Sequence, residues 1–153
     1  MKKFQLVIVF LIINFAALGI GSWLMGTGPT SDWYIEQNKA PWTPPGWVFG
    51  AAWSTIMICF AIYMAILVKI KPYTFIIGLF TIQFLLNVSW NYIFFNQHLV
   101  TFGLIIIVLL TLVITLFLIK YKTILKTATW LIVPYFIWLL IATSLNAYIL
   151  FNN

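Results

Sequence analysis

The chain has 153 residues, of which 64% are hydrophobic and 7% are charged, and its mean hydropathy is +1.09. A soluble domain is roughly 45–50% apolar and about 25% charged, and one small globule could not hide this much apolar surface. Composition therefore excludes a soluble enzyme, a disordered chain and a collagen-like chain, and it leaves an integral membrane protein. The net charge of +6 comes from lysines that are dispersed over several loops. They form no contiguous basic face, so nucleic acid is excluded as a partner.

Five apolar runs, each close to the roughly 20 residues that a membrane-spanning helix needs, follow one another along the chain. Because every backbone amide in hydrocarbon needs an internal partner, these runs must be helices. We therefore predict an all-α integral membrane protein, a five-transmembrane-helix bundle forming one domain over residues 1–153. The predicted helices cover residues 4–25, 46–68, 73–95, 100–119 and 128–151. The first run is longer than the apolar region of a secretory signal, so we interpret it as a retained span.

The lysines flank the spans in an alternating pattern. They lie before the first span, after the second and after the fourth, at Lys2, Lys3, Lys69, Lys71, Lys120, Lys122 and Lys126. Since lysine accumulates in cytoplasmic loops, this pattern predicts a cytoplasmic N-terminus and a C-terminus outside. These lysines can also contact anionic headgroups, so membrane lipid is an expected partner.

The loop between the first and second spans, residues 26–45, is the longest connection. It contains both acids and four of the six prolines, together with Trp33, Tyr34 and Trp42. Ser31 or Asp32 can cap a short helix that runs through Glu36 and Gln37, and the prolines near the loop's end hold an extended path. A flexible linker would be rich in Gly and Ser. We therefore predict a stiff, Pro/Trp-rich lid over one end of the bundle.

Aromatic side chains favour an interior site in this bundle. One side of the second span carries Phe49, Trp53, Met57 and Phe60. Tryptophan at the end of a span ordinarily belongs to an interfacial belt, which accounts for Trp23, Trp42, Trp47 and Trp130. The belt accounts poorly for the tryptophans that lie deeper within their spans, Trp53, Trp90 and Trp138.

Small residues recur at intervals of four in the second span, at Gly46, Gly50 and Ser54. Such a ridge lets another helix approach closely. The neighbour can belong to the same chain or to a second copy in a homodimer, and the sequence leaves both open.

Three amides follow the third span at intervals of four, Gln83, Asn87 and Asn91, with Trp90 and Phe94 beside them. This spacing puts the amides on one helical face, which must point into the bundle because amides are costly in hydrocarbon. Interhelical hydrogen bonds are one reading of the pattern, and the polar wall of a binding cavity is the other. The sequence favours neither.

Prolines mark the third and fifth spans. Pro72 stands where a first-turn proline belongs, after the tight connection that leads into the third span. The fifth span carries Trp130, Pro134, Trp138, Ala142 and Asn146 on one face. Pro134 frees a backbone carbonyl, and we expect the helix to kink there.

The sequence lacks the groups that most catalytic and transport chemistry needs. No Asp, Glu, Lys or Arg lies within the predicted spans, which argues against a proton-coupled pump. His98 is the only histidine and we interpret it as a polar loop residue, so no metal site, haem site or cofactor is expected. No nucleophile-elbow motif supports a catalytic triad, and a classical enzyme is not favoured.

Three motifs resemble the TspO/MBR family, which comprises the tryptophan-rich sensory proteins and the mitochondrial translocator protein, or peripheral-type benzodiazepine receptor. The first is Trp33-Tyr34 followed by NKAPWTPPGWVF at residues 38–49. The second is QFLLNVSWN at residues 83–91, and the third is PYFIW at residues 134–138 with Ala142 and Asn146. They occur in order and at family spacing over most of the chain.

The resemblance implies a five-helix bundle, often dimeric, that binds porphyrins such as protoporphyrin IX and isoquinoline- or benzodiazepine-type compounds in a pocket beneath the first loop. Carried over position by position, it implies a pocket lined by Trp33, Tyr34, Pro44, Trp53, Asn87, Trp90, Asn91, Trp138 and Ala142. Lys39 could meet a porphyrin propionate at the rim. The basic residue of the animal cholesterol motif is absent after Tyr148, so sterol binding is not carried over.

Three functions follow from the resemblance and remain open. The first is a receptor or sensor that binds porphyrin. The second is light- and oxygen-dependent porphyrin degradation, for which Trp53 and Trp138 are the candidate reactive residues. The third is transport of porphyrin or another lipophile, which could only be facilitated because the spans contain no group that couples to protons.

Overall fold

The computed structural model describes residues 2–71 and 73–153. Five helices in these ranges are long and apolar enough to cross a membrane. With the short helix of the first loop, the helices are α1 (Lys3–Leu24), α2 (Asp32–Glu36), α3 (Gly46–Ile70), α4 (Thr74–Asn91), α5 (Val100–Leu125) and α6 (Val133–Asn152). The prediction of an all-α, five-span membrane fold is confirmed. The first-turn proline, Pro72, lies outside the described residues.

The last two spans differ most from the predicted bounds. α5 runs past residue 119 to Leu125, because Lys120 and Lys122 are good helix formers and extend the helix beyond its apolar run. A 3₁₀-helical segment, Lys126–Leu131, follows, and α6 begins at Val133. Pro134 therefore lies in the first turn of α6, where its missing N–H needs no partner. The expected kink at Pro134 is wrong.

The end of α4 has an unusual geometry. Tyr92–Asn96 continue the helix as a π-helical turn, a rare conformation that is frequent at functional sites. Both Phe94 and Phe95 are buried in this turn. The turn therefore presents two neighbouring aromatic rings to the interior beneath the first loop.

The five long helices pack as a closed ring in the order α1, α3, α6, α5, α4. Consecutive spans run antiparallel, so residues 26–45 lie at one end of the bundle, which we call the lid end. The opposite end, the lysine end, carries seven exposed lysines, Lys2, Lys3, Lys69, Lys71, Lys120, Lys122 and Lys126. Both acids belong to α2 at the lid end. The charges are therefore strongly segregated along the bundle axis.

The half of the bundle nearer the lysine end is filled by large side chains. Met57, Phe60, Tyr63, Phe117 and Tyr135 are fully buried there. The Phe60 ring packs edge-to-face against Phe117 at 5.8 Å and against Tyr135 at 5.3 Å, a favourable aromatic geometry. This cluster fills the interior beneath the lid-end half, and we call it the floor.

Buried polar side chains connect the helices. The Asn14 amide of α1 donates to the Met57 carbonyl of α3 at 3.0 Å, and the Tyr63 hydroxyl donates to the Phe117 carbonyl of α5 at 2.9 Å. Each such bond contributes about 0.6–2 kcal/mol in a membrane. These bonds connect α1 to α3 and α3 to α5 within the bundle interior.

The small-residue ridge of α3 has no close neighbour within the chain at its two glycines. A side chain at Gly46 or Gly50 would meet no atom within 4 Å. Of the two alternatives that the sequence left open, close approach within one chain therefore does not occur at these glycines. The close approaches lie elsewhere, at Gly21 against Asn91 and at Gly103 against Phe94.

Candidate functional site

A cavity of about 210 Å³ lies in the lid-end half of the bundle, between α1, α3, α4 and α6. Its lining is mostly apolar and aromatic, with two asparagines and two serines. The lining residues are Ala17, Leu18, Ser22, Met25, Pro29, Phe49, Gly50, Trp53, Ser54, Asn87, Trp90, Asn91, Phe95, Trp138 and Ala142. None of them is ionisable, so the lining carries no formal charge.

The cavity opens between α1 and α3. Three of its lining residues are exposed, Ser22, Pro29 and Gly50. Glycine at position 50 leaves this side of the opening without a side chain.

Indoles form much of the wall. Trp138 meets Phe49 edge-to-face at 5.4 Å, and Trp53 meets Tyr135 of the floor at 5.8 Å. Trp90 stacks on Phe94 at 5.2 Å with the ring planes 11° apart. Two aromatic partners therefore hold Trp53 and Trp138 in fixed orientations toward the cavity.

Asn146 holds Trp90 in place. The Trp90 indole N–H donates to Asn146 Oδ1 at 3.2 Å, and Asn146 Nδ2 donates to the Val100 carbonyl at 3.1 Å. Because these residues belong to α4, α6 and the first turn of α5, one buried amide fixes three helices. The sequence pattern placed Asn146 on one face of the fifth span with Trp138 and Ala142, and it did not predict these hydrogen bonds.

The three amides of α4 divide between the two roles that their spacing allowed. Gln83 makes an interhelical hydrogen bond, from its Nε2 to the Tyr135 hydroxyl at 2.7 Å. Asn87 and Asn91 line the cavity, and the Asn91 amide donates to the Asn87 backbone carbonyl at 3.2 Å. Gln83 therefore takes the interhelical role, whereas Asn87 and Asn91 form the polar part of a cavity wall.

One polar group at the cavity is buried without a partner. The indole N–H of Trp138 has no acceptor in residues 2–71 and 73–153, and a buried polar group without a partner is costly. The Asn87 side chain is 5% exposed and lines the same cavity. The Trp138 donor and the Asn87 amide therefore both lie where a ligand could meet them.

α2 covers the cavity by packing on the π-helical turn of α4. Ser31 Oγ caps this helix by accepting a hydrogen bond from the Tyr34 backbone N–H at 3.2 Å, which confirms the predicted short helix. The Trp33 ring meets Phe94 at 5.6 Å and stacks on the His98 imidazole at 4.2 Å. The Tyr34 ring meets Phe95 at 5.3 Å. Burial raises the pKa of the Tyr34 hydroxyl above its usual range, so the phenol is neutral at physiological pH.

The second half of the loop is fastened to the end of α6. The Asn38 backbone N–H donates to Asn153 Oδ1 at 2.7 Å, and Asn153 Nδ2 donates back to the Asn38 carbonyl at 3.2 Å. The Trp42 indole N–H donates to Ser144 Oγ at 3.1 Å. These contacts, with α2 on the π-helical turn, attach the lid at two places.

Comparison with known proteins identifies the family to which this chain is similar. The TspO/MBR family matches residues 9–151. The tryptophan-rich protein TspO of Bacillus cereus is 33% identical over 95% of this chain and 94% of its own length. Protein CrtK of Rhodobacter capsulatus is 31% identical over 74% of each chain, and the human translocator protein is 30% identical over 74% of this chain and 70% of its own.

The chain belongs to the TspO/MBR family. It is an integral, multi-pass membrane protein of that family, as its motifs and its apolar helices indicated. Two of the three TspO/MBR motifs, at residues 83–91 and 134–138, supply cavity-lining residues from α4 and α6. The first motif forms much of the lid, and its last residue, Phe49, also lines the cavity.

The nine residues assigned to the TspO/MBR pocket occupy two layers. Six of them line the cavity, namely Trp53, Asn87, Trp90, Asn91, Trp138 and Ala142. Trp33, Tyr34 and Pro44 do not border it. Tyr34 borders a separate void of about 30 Å³ that shares Phe49, Trp90, Phe95 and Ala142 with the cavity. Pro44 is half-buried in the extended segment before α3.

Sequence analysis missed the contribution of α1. Ala17, Leu18 and Ser22 line one side of the cavity, with Met25 and Pro29 just beyond the helix. These residues are small or apolar and resemble any lipid-facing sequence. A usable signal is the intervening Gly21, since a Cβ there would lie 2.7 Å from the Asn91 amide nitrogen, so a larger residue would displace the Asn91 side chain in the cavity wall.

Proposed function

We propose that this TspO/MBR protein is a membrane receptor or sensor that binds flat aromatic lipophiles in the cavity beneath its first loop. The class includes porphyrins such as protoporphyrin IX and isoquinoline- or benzodiazepine-type compounds. Trp53, Asn87, Trp90, Asn91, Trp138 and Ala142 contact the ligand, and Trp33, Tyr34 and Pro44 form its cover. The observation that carries the proposal is the unpartnered Trp138 indole N–H at an uncharged cavity walled by indoles.

Selectivity in such a site comes from shape and stacking. A lipophile already dissolved in the bilayer gains little hydrophobic free energy when it enters an apolar cavity. Each well-oriented aromatic pair adds about 0.5–1.5 kcal/mol beyond the buried area. Trp53 and Trp138 can supply such pairs. The Asn87 amide and the Trp138 N–H favour ligands that carry hydrogen-bonding groups at the positions facing them, including an acceptor for the indole N–H.

The size of the cavity determines how a ligand is held. Its 210 Å³ is below the roughly 300–1,000 Å³ of pockets that enclose drug-sized molecules. A compound of two or three rings fits within it. A porphyrin must enter edge-on, or displace Tyr34 so that the neighbouring void joins the cavity, with its propionates left outside the uncharged wall.

Lys39 is not free to meet a propionate in the closed lid. Its ammonium donates to the Tyr34 carbonyl at 3.0 Å and to the Ile35 carbonyl at 3.2 Å, and it lies 4.8 Å from the centre of the Tyr34 ring. Lys39 therefore stabilises the C-terminal end of α2. It becomes available to a carboxylate only when the lid opens.

We also propose that the lysine end faces the cytoplasm and the lid end the outside. Seven of the eight lysines lie at the lysine end, and lysine accumulates on the cytoplasmic side of membrane proteins. A ligand site at the lid end would then sample molecules outside the cell or in the outer leaflet.

Titration with protoporphyrin IX in detergent tests the proposed binding site. We expect saturable quenching of tryptophan emission, with an affinity about 25-fold weaker in Trp53→Leu/Trp138→Leu, because two aromatic pairs of about 1 kcal/mol each are lost. The matched control is Trp23→Leu/Trp47→Leu, whose indoles are 80% and 75% exposed. The proposal fails if the two double variants bind equally, or if quenching grows linearly in all of them.

Replacing Asn87 tests the polar part of the proposed site. Asn87→Leu removes an amide that lines the cavity, so we expect ligand affinity to fall about fivefold because about 1 kcal/mol of hydrogen bonding is lost. The control is Gln83→Leu, which removes an amide of the same helix that bonds Tyr135 and does not line the cavity. Its affinity should change less than about twofold. Porphyrin titration measures both, and equal affinities of the two variants would contradict the assignment.

A further inference from the structure

A groove outside the proposed ligand site lies between the end of α5, the 3₁₀-helical segment and the start of α6. It measures about 410 Å³ and is lined by Leu118, Lys122, Thr123, Lys126, Thr129, Trp130 and Val133. It lies at the lysine end, which is where lipid headgroups meet the bundle. We call it the headgroup groove.

Two lysines give the headgroup groove an uncompensated positive charge. Lys122 and Lys126 are both exposed and line the same groove. The acids of the chain, Asp32 and Glu36, belong to α2 at the opposite end. The chain therefore offers no carboxylate that can neutralise this pair.

The backbone at Lys126 is strained. Its φ is 50° and its ψ is −118°, a region that side-chain-bearing residues rarely adopt. The strained residue ends α5 and turns the chain back, so that Lys126 lines the same groove as Lys122.

A second groove, which we call the acyl-chain groove, continues from the headgroup groove. It measures about 570 Å³, runs between α3 and α6, and shares Trp130 and Val133 with the headgroup groove. Its other lining residues are apolar except for Thr55, and Ala51 and Ala52 leave its α3 side shallow. From Val48 to Ile56 it extends about 12 Å along α3 at 1.5 Å per residue. That length is close to one leaflet of hydrocarbon, about 15 Å.

Trp130 marks the boundary between the two grooves. Its side chain is 74% exposed, and tryptophan prefers the level of the membrane where headgroups meet acyl chains. Positive charge therefore lies on one side of this indole and a lipid-facing apolar channel on the other. An amphiphile with an anionic head and a long chain matches both parts.

We propose that an anionic phospholipid binds in these two grooves, with its phosphate on Lys122 and Lys126 and one acyl chain between α3 and α6. The site needs neither the cavity nor its ligand. Trp138 lines both the acyl-chain groove and the cavity, so the bound chain contacts the outer side of a cavity wall.

The test measures binding of phosphatidylglycerol and phosphatidylcholine to the purified full-length chain in detergent by native mass spectrometry. Each lysine near an anionic headgroup contributes a factor of about five in affinity. We therefore expect Lys122→Gln/Lys126→Gln to bind phosphatidylglycerol about 25-fold more weakly, while its affinity for phosphatidylcholine stays unchanged. The control, Lys69→Gln/Lys71→Gln, removes the same charge from the same end but outside the grooves, and its affinity should change less than about twofold. Equal losses in the two double variants would overturn the site, because the charge would then act only as a diffuse field.

A further variant and a competition experiment test the acyl-chain groove. Ala51→Phe fills the α3 side of the groove and should weaken both lipids. Glycerol phosphate, which has the phosphate without the chains, should compete only at far higher concentration than phosphatidylglycerol. Unchanged lipid binding in Ala51→Phe, or equal competition by glycerol phosphate, would show that no acyl chain binds there and would overturn the proposal.

Discussion

Ala142→Phe is expected to abolish ligand binding while the helical bundle stays folded. Ala142 is buried, and it borders both the cavity and the small void beneath Tyr34. A phenyl ring at this position can be accommodated only in the space that the ligand needs. Central contacts of a binding site contribute about 2–4 kcal/mol each, so we expect porphyrin affinity to fall at least about a hundredfold.

A second substitution blocks the cavity from its mouth. Gly50 lines the opening between α1 and α3, and a side chain there meets no atom within 4 Å. Gly50→Leu should therefore preserve the fold, and it should raise helix stability by up to about 1 kcal/mol because glycine is a poor helix former. The substitution should still slow or prevent entry of the ligand.

The controls for the two blocking variants add equal bulk away from the cavity. Leu140→Phe changes an exposed position of α6 that is two residues from Ala142. Gly78→Leu changes an exposed glycine of α4 with open space around it. Porphyrin titration and helical circular dichroism should give native values for both controls. If Ala142→Phe is folded and binds with native affinity, the ligand lies outside the cavity.

The fold could be predicted from the sequence because hydrocarbon leaves few alternatives. Long apolar runs must be helices in a membrane. The short helix α2 was predictable because Ser31 or Asp32 can cap a helix. The errors arose where the chain leaves the hydrocarbon. Lys120 and Lys122 extend α5 because lysine favours helix. The turn at Lys126 has a φ of 50°, and no residue type there signals it.

The candidate site was predictable only in part. Tryptophans that lie deep within spans, such as Trp53 and Trp138, have no role in an interfacial belt and so indicated an interior wall. The spacing of the α4 amides showed their common face but not their partners. Gln83 meets a hydroxyl on α6, whereas Asn87 meets none. That difference depends on which helix lies opposite, and a single sequence does not encode it in any local pattern.

Gly103→Val is expected to destabilise the lid-end half of the bundle. A Cβ at position 103 would lie 3.1 Å from Phe94 Cδ2 and 3.2 Å from Asn146 Oδ1. Phe94 belongs to the π-helical turn, and Asn146 is bonded to Trp90 and to the Val100 carbonyl. Neither neighbour can move without breaking other contacts. Overpacking costs about 1–3 kcal/mol and the lost hydrogen bonds add about 0.6–1.7 kcal/mol, so we expect a total near 3 kcal/mol.

The matched control for this prediction is Gly78→Val on α4, where the new side chain meets no atom within 4 Å. We expect its unfolding free energy to stay within about 0.5 kcal/mol of the native value. Unfolding of both variants in mixed micelles measures the difference. Gly103→Val should also weaken ligand binding, since displacement of Asn146 releases the indole of Trp90 from its position in the cavity wall. Equal stability of the two variants would mean that the contact between α5, α4 and α6 does not hold the cavity wall in place.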